Sequence, residues 1–96
     1  MFAPIIKPME VIWQRKATKQ LMKIGDRRLR ERITNAVDAL EAVNSINDCA
    51  AAKELNNHAY DYRLRVGDWR VMIDLIAGEP VIASIEEVKK RDERTY

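Results

Sequence analysis

The segment YDYRLRVGDWRVMIDL, residues 60–75, decides the fold of this 96-residue chain. Hydrophobic residues occupy every second position from Tyr60 to Val66 and again from Trp69 to Leu75. This period of two predicts a pair of half-buried strands, each with one apolar and one polar face. Gly67 and Asp68 between them fit a two-residue hairpin loop, and glycine at the first position is typical of a type II′ turn. The segment therefore predicts an antiparallel β-hairpin.

The flanking sequence supplies two more strands and two helices. Pro80–Val88 has hydrophobic residues on both faces, which favours a buried, central strand, and Met9–Trp13 is a short strand rich in β-formers. Between them, residues 14–24 and about 27–43 carry apolar residues at helical spacing. Asp26 can cap the second helix, and a short helical turn is expected over Cys49–Leu55.

These elements predict an α+β fold. The expected order is β-α-α-β-β-β, with an N-terminal strand, an αα-hairpin and an antiparallel β-meander. The two helices should pack on one face of the sheet, because each element has a single apolar side. Residues 9–96 are expected to form one domain after a flexible arm at residues 1–8, where two prolines resist regular pairing.

Composition restricts the cellular compartments in which the chain is expected. No segment approaches the roughly 18 apolar residues of a membrane span, and residues 1–8 lack the features of a signal peptide. Cys49, the single cysteine, cannot form an internal disulfide. A cytoplasmic protein with no membrane association is therefore predicted.

Positive charge is concentrated in two places. Between Arg15 and Arg32 there are eight basic residues and only two acidic ones. This excess predicts either a surface that binds nucleic acid or an acidic partner protein, or simply a solvated helix face. In the predicted hairpin Arg65 lies directly opposite Arg70, with Arg63 two positions along. Opposed like charges destabilise a sheet, so this cluster indicates an anionic ligand such as phosphate. The alternative is that Asp61, Asp74 or Glu86 neutralises it.

Several other chemistries have no support in the sequence. The chain has one histidine, His58, in a predicted loop, and no His/Cys cluster of the kind that binds zinc. Glycine-rich phosphate-binding motifs are also lacking. No metal and no cofactor are therefore predicted.

The hairpin segment YRLRVGDWRV, the helix RRLRERITNAVDAL and the closing VIASIEEVKKRDERTY together resemble the RelE/ParE superfamily of bacterial toxins, and the RelE branch more than the ParE branch. The resemblance spans residues 9 to 96. It implies a ribosome-dependent mRNA endonuclease that acts by metal-independent attack of the 2′-OH, inhibits translation and is held inactive by a cognate antitoxin. The toxin–antitoxin complex is then expected to bind operator DNA through the antitoxin.

The resemblance also assigns roles to basic residues on the sheet and in the tail. The implied catalytic residues are Arg65, Arg70, Arg91 and Tyr96. The residues expected to bind RNA are Arg63, Lys89, Lys90 and Arg94. For docking on ribosomal RNA, the helices offer Arg15, Lys16, Lys19, Lys23, Arg27 and Arg28. Two alternatives stay open at this point: a ParE-like DNA gyrase poison of the same fold, and a binding module without catalytic activity.

Overall fold

The structure, a computed structural model, describes residues 9–91 of the chain. Its strands are β1 (Met9–Trp13), β2 (Ala52–Glu54), β3 (Tyr62–Val66), β4 (Trp69–Ile76) and β5 (Val81–Lys90). The helices in this part of the chain are α1 (Arg15–Met22) and α2 (Arg27–Asp38), followed by short 3₁₀ segments at Ala39–Ala42 and Ile46–Asp48. The order of elements confirms the predicted α+β fold.

All five strands join one sheet in the order β1-β5-β4-β3-β2. The meander β3-β4-β5 is antiparallel, as predicted, and β2 adds to it in the same sense. The sheet as a whole is mixed, because β1 pairs with β5 in parallel. The prediction that the last strand is central is confirmed, since β5 lies between β1 and β4.

The structure corrects two parts of the sequence prediction. The helical turn expected over Cys49–Leu55 is wrong, because Ala52–Glu54 is an edge strand paired with β3. The α2 helix ends at Asp38 and tightens into a 3₁₀ segment rather than continuing to Val43. The predicted arm at residues 1–8 and the tail at residues 92–96 lie outside the described residues.

The helices cover one face of the sheet and enclose the core. Fully buried Ile33 and Val37 of α2 and Ala17 of α1 pack in one cluster with the apolar residues of the strands. The predicted helix cap is also confirmed: the Oδ1 atom of Asp26 accepts hydrogen bonds from the backbone N–H groups of Arg28 (2.9 Å) and Leu29 (3.3 Å). The opposite face, which we call the polar face, is left to the charged residues of the strands.

The β3–β4 hairpin has the predicted register. Gly67 adopts φ +57°, a conformation that favours glycine. Val66 pairs with Trp69, and Arg65 pairs with Arg70. The turn therefore determines which arginines face each other across the strands.

A β-bulge in β5 changes which residues reach the polar face. Met72 pairs with Glu87, whereas its neighbour Ile73 pairs with Ile85, so Glu86 is an extra residue on the β5 side. Ile85 belongs to the core, and simple alternation would place Glu87 on the core side as well. The bulge instead places Glu87 beside Met72 on the polar face.

Candidate functional site

Three basic residues lie side by side across the polar face. Arg65 on β3 pairs with Arg70 on β4, which in turn pairs with Lys89 on β5. Directly paired residues on neighbouring strands project to the same face, so the three form a row, which we call the basic row. Arg65 and Lys89 are exposed and Arg70 is half-buried. The sequence predicted the opposition of the two arginines, and the structure extends it to a third cation.

A second line of residues lies two positions further along the strands. It runs from Lys53 on β2 through Arg63 and Met72 to Glu87. Arg63 is half-buried, and its Nε atom is buried without a hydrogen-bond partner in the part of the chain that the structure describes. A buried donor left unsatisfied costs about 1–3 kcal/mol.

Glu87 is a buried carboxylate on this otherwise basic face. Its side chain is 8% exposed, and its oxygens lie 3.0 Å from Lys16 Nζ and 3.2 Å from Lys89 Nζ. The Tyr60 hydroxyl donates a hydrogen bond to Glu87 Oε2, and Gln20 Nε2 lies 3.4 Å from Oε1. We call this group of five residues the Glu87 cluster. It joins α1, β5 and the segment that precedes β3.

The α1 helix reaches Glu87 because β1 is shorter than β5. β1 ends at Trp13, which pairs with Ile85, so the next residues of β5 pair with no described strand on that side. Gln20 of α1 takes the place of a strand there: its Oε1 atom accepts a hydrogen bond of 2.7 Å from the backbone N–H of Val88. The same amide group also donates to Glu87, so one side chain satisfies two groups of β5.

The contacts within the Glu87 cluster change two pKa values. Burial alone would raise the pKa of Glu87, but its hydrogen-bond donors outweigh burial and lower that pKa to about 2. The hydrogen bond to Glu87, with a smaller contribution from burial, raises the pKa of Tyr60 to about 12. At neutral pH the carboxylate is therefore ionised and the phenol keeps its proton.

The acids that the sequence offered as neutralising partners make other contacts. Asp74 Oδ1 accepts from the backbone N–H of Asp61 (3.0 Å), and Asp61 Oδ2 accepts from that of Leu75 (3.0 Å). Glu86 accepts a hydrogen bond from the Ser84 hydroxyl. Among residues 9–91, no carboxylate forms an ion pair with Arg65, and Glu87 reaches the basic row through its contact with Lys89.

The basic residues near the C-terminal end of β5 differ in position from Lys89 of the basic row. Lys90 pairs with Trp69 and so lies on the helix side, at an open groove of about 480 Å³ that Arg28, Arg32 and Leu29 also line. The backbone N–H of Arg91 donates to the carbonyl of Asp68 (2.6 Å), which brings Arg91 next to the hairpin turn. Arg94 and Tyr96 lie outside the described residues.

The basic residues of the helices are on the surface. Those predicted to dock on RNA are all exposed, namely Arg15, Lys16, Lys19, Lys23, Arg27 and Arg28. Two of them have acidic partners: Lys16 contacts Glu87, and Arg27 Nε lies 3.1 Å from Glu31. Within residues 9–91, no three His, Cys, Asp or Glu side chains come together in a way that could hold a metal ion. No helix of the described chain is long and apolar enough to cross a membrane.

Sequence reasoning missed the Glu87 cluster. Glu87 sits next to Glu86 in a strand, and alternation gives no sign of the bulge that turns it to the polar face. Tyr60 was assigned to the apolar side of the hairpin, but β3 begins only at Tyr62, and the Tyr60 hydroxyl binds Glu87. The available signal was the pair of adjacent acids at the end of a strand otherwise rich in hydrophobic residues.

Comparison with solved structures identifies the fold. The chain superposes on the RelB–RelE antitoxin–toxin complex from Methanococcus jannaschii with a TM-score of 0.61 and 23% identity, covering 82% of this chain and 88% of that one. The chain has the fold of the RelE-type toxins. The RelBE2 toxin–antitoxin complex from Mycobacterium tuberculosis gives a TM-score of 0.63 at 21% identity, covering 84% and 95% of the two chains.

The RelE-type fold agrees with the resemblance noted in the sequence. The sequence itself matches no protein-family model and no curated protein. At these identities, what the chain shares with both complexes is the arrangement of helices and strands. The side chains of the polar face, described above, must therefore carry any argument about chemistry.

Proposed function

We propose that this chain is a RelE-type toxin: a ribosome-dependent mRNA endonuclease that inhibits translation and is neutralised by a cognate antitoxin. The basic row is the observation that supports this most directly. Arg65, Arg70 and Lys89 repel one another on a sheet face that the helices leave uncovered. Sheets are more stable with opposite charges in such pairs. Glu87 contacts the row through Lys89, and an RNA backbone would bring further negative charge to it.

The proposed reaction is metal-independent transesterification. The 2′-oxygen attacks the adjacent phosphorus, the bond to the 5′-oxygen breaks, and a 2′,3′-cyclic phosphate and a 5′-hydroxyl result. A base takes the proton of the 2′-OH, and an acid or water protonates the leaving 5′-oxygen. The extra negative charge on the phosphoryl oxygens is stabilised by nearby cations. The chain needs only positioned cations and a proton acceptor for this reaction.

The basic row and its neighbours match these requirements. Arg65 and Arg70 would hold the phosphate, since the planar guanidinium group suits bidentate binding of its oxygens. Arg91, next to the hairpin turn, would stabilise the transition state. We assign the role of base to Tyr96 or to a lysine of the face. Tyr60 is unsuited to it, because a phenol with a pKa of about 12 keeps its proton near neutral pH.

The RNA strand on either side of the cleaved bond would contact further basic residues. Arg63 is next to the row, and a bound acceptor could satisfy its Nε atom, which has no partner among residues 9–91. Lys89 is part of the row itself, and Lys90 lies at the end of the same strand on the helix side. Arg94 in the tail is proposed to bind RNA as well.

Ribosome dependence is proposed because this site has little chemical equipment of its own. A ribosome that holds the mRNA in attack geometry can contribute several kcal/mol of the barrier reduction. The exposed basic residues of α1 and α2 would contact ribosomal RNA phosphates, and binding should weaken as salt rises. Cytoplasmic location follows from such a substrate.

An antitoxin partner is proposed because the two solved structures described above are toxin–antitoxin complexes. An antitoxin segment carrying acidic residues would cover the basic row and so compete with RNA. The complex is proposed to bind operator DNA through the antitoxin.

The test is cleavage of mRNA by the purified chain, with and without ribosomes. We expect cuts within reading frames on ribosome-bound mRNA, and Arg70→Ala should slow them by about 10²–10³-fold. Arg15→Ala removes the same charge from the proposed docking surface of α1, so it should weaken binding to ribosomes but keep the cleavage rate on saturating ribosomes. Equal cleavage of free and ribosome-bound RNA would refute ribosome dependence. Arrest of DNA replication without mRNA cleavage would identify a gyrase poison instead.

A further inference from the structure

The Glu87 carboxylate is unusual for its location. It is a charged group with an 8% exposed side chain, on a face proposed to bind polyanionic RNA. Burying a carboxylate costs several kcal/mol, and a buried ion pair seldom stabilises a protein more than a well-packed apolar residue would. Near an RNA site, a negative charge also opposes the ligand. Stability and simple electrostatics therefore both give reasons against an acid at this position.

What Glu87 provides is fixed geometry. Lys89 Nζ lies 3.2 Å from Oε2, so the carboxylate holds the ammonium group at one end of the basic row. A free lysine side chain samples many rotamers, and fixing them on binding costs up to about 2 kcal/mol. Lys16 Nζ, 3.0 Å from Oε1, places a helix cation at the same point. The Tyr60 hydroxyl donates to the same oxygen, Oε2, that Lys89 contacts.

We infer that Glu87 is a positioning residue: it fixes the Lys89 ammonium in the basic row, so that the RNA phosphate meets a row whose geometry is already set. Glu87 itself does not touch the RNA in this account. The inference rests on the proposed nuclease function and deepens it. It also gives the β5 bulge a purpose, because the bulge is what turns Glu87 towards Lys89 rather than into the core.

The inference predicts an effect opposite in sign to that of simple electrostatics. If Glu87 only weakens the positive field of the polar face, Glu87→Gln should bind RNA more tightly and cleave at least as fast. If Glu87 positions Lys89, Glu87→Gln should cleave more slowly, although the face has become more positive. We expect kcat on ribosome-bound mRNA to fall by about tenfold to hundredfold, the range expected when a reacting group is misplaced by about 1 Å. KM should stay the same or decrease.

The matched control is Glu54→Gln. Glu54 is an exposed acid on the edge strand β2, and its substitution changes the net charge by the same amount. This control should leave kcat unchanged. Tyr60→Phe removes one donor from the carboxylate but keeps both lysines, so it should lower kcat less than Glu87→Gln does.

A second measurement, independent of activity, tests whether the cluster exists in solution. Spectrophotometric titration, with Tyr60→Phe as the reference that identifies the signal, should find Tyr60 ionising near 12 in the wild type. In Glu87→Gln the same group should ionise closer to its ordinary value of 10.0. An unchanged titration of Tyr60 would overturn the inference whether or not the variant cleaves RNA.

The outcomes separate this inference from the proposed function. If the wild-type chain leaves ribosome-bound mRNA intact, both the proposed nuclease function and the positioning role of Glu87 are refuted. A wild type that cleaves, with Arg70→Ala inactive and Glu87→Gln as fast as wild type or faster, removes the positioning role alone. Slower cleavage by Glu87→Gln, with Glu54→Gln unaffected and the Tyr60 titration shifted, supports it.

Discussion

Replacing Arg65 by glutamine should stabilise the free protein and impair its activity at the same time. Arg65 is exposed and faces Arg70 directly across the hairpin. Glutamine keeps the aliphatic stem and removes the charge, so the change mainly removes repulsion. A side chain that lowers the stability of the free protein is expected where that side chain binds a ligand.

The size of the effect follows from the register. Paired residues on neighbouring strands have Cα atoms about 4.5–5.5 Å apart, which puts two guanidinium groups at about 7 Å if they spread apart. Two unit charges at that distance in water repel by about 0.6 kcal/mol. We therefore expect Arg65→Gln to raise the free energy of unfolding by about 0.5 kcal/mol. For a chain of this size, that corresponds to a Tm increase of about 2–4 °C.

The assay is chemical and thermal unfolding at two salt concentrations. At low ionic strength the full increase should appear. At 1 M salt the screening length falls to about 3 Å, and the difference from wild type should nearly vanish. Lys23→Gln, at the exposed C-terminal end of α1, removes the same charge away from the sheet and should not increase stability.

Activity provides the second half of this prediction. Cleavage of ribosome-bound mRNA by Arg65→Gln should fall by about 10²–10³-fold, as for the loss of other groups that stabilise a charged transition state. A variant less stable than wild type at low salt would refute the reasoning, since it would mean that Arg65 makes a favourable contact within the chain.

Three further predictions concern stability. Asp26→Ala removes the cap of α2 and should lower the free energy of unfolding by about 1 kcal/mol in urea titrations, whereas Asp26→Asn should keep most of it. Ile33→Ala leaves a cavity at a fully buried position of α2 and should cost about 2–5 kcal/mol by the same measurement; a loss below 1 kcal/mol would contradict the packing described. Glu87 keeps its charge in the folded protein down to a pKa of about 2, against an ordinary 4.5, so its contribution is present above 4.5 and is lost as the pH falls through 2. This loss amounts to at most about 3 kcal/mol, and a comparison of the acid unfolding of wild type and Glu87→Gln would detect it.

The elements that local pattern determines were predictable from the sequence. Alternation defined β3 and β4, and Gly67 fixed the turn and with it the opposition of Arg65 and Arg70. The cap at Asp26 was readable as well, because capping depends on one side chain and the next three residues.

The elements that depend on distant partners were not predictable. Ala52–Glu54 contains residues common in helices, and it becomes a strand only because the outer edge of β3 is free to pair with it. The parallel pairing of β1 with β5 joins residues about 70 positions apart, which no local pattern reports. The α2 helix ends at Asp38, although the apolar spacing continues to Val43, because the chain tightens into a 3₁₀ segment that packs beside β1.

Only the local part of the candidate site was predictable from the sequence. The arginines of the hairpin follow from two adjacent strands and their turn. Placing Lys89 in their row requires the register between β4 and β5, including the bulge at Glu86. Contacts of Lys16 and Gln20 with Glu87 require the position of α1 along the edge of β5, which depends on where β1 ends.

The central position of β5 has a consequence for synthesis of the chain. The sheet is complete only when β5 has paired with both β1 and β4. Of the described strands, β5 is the last to be made. Lys89 is in β5, so a nascent chain in which β5 has not yet been made has Arg65 and Arg70 without the third cation of the row. The pairing of β5 with β1 joins residues about 70 positions apart, and contacts at such sequence separation form slowly. The order of translation therefore delays completion of the basic row until β5 has been made and has paired with β4.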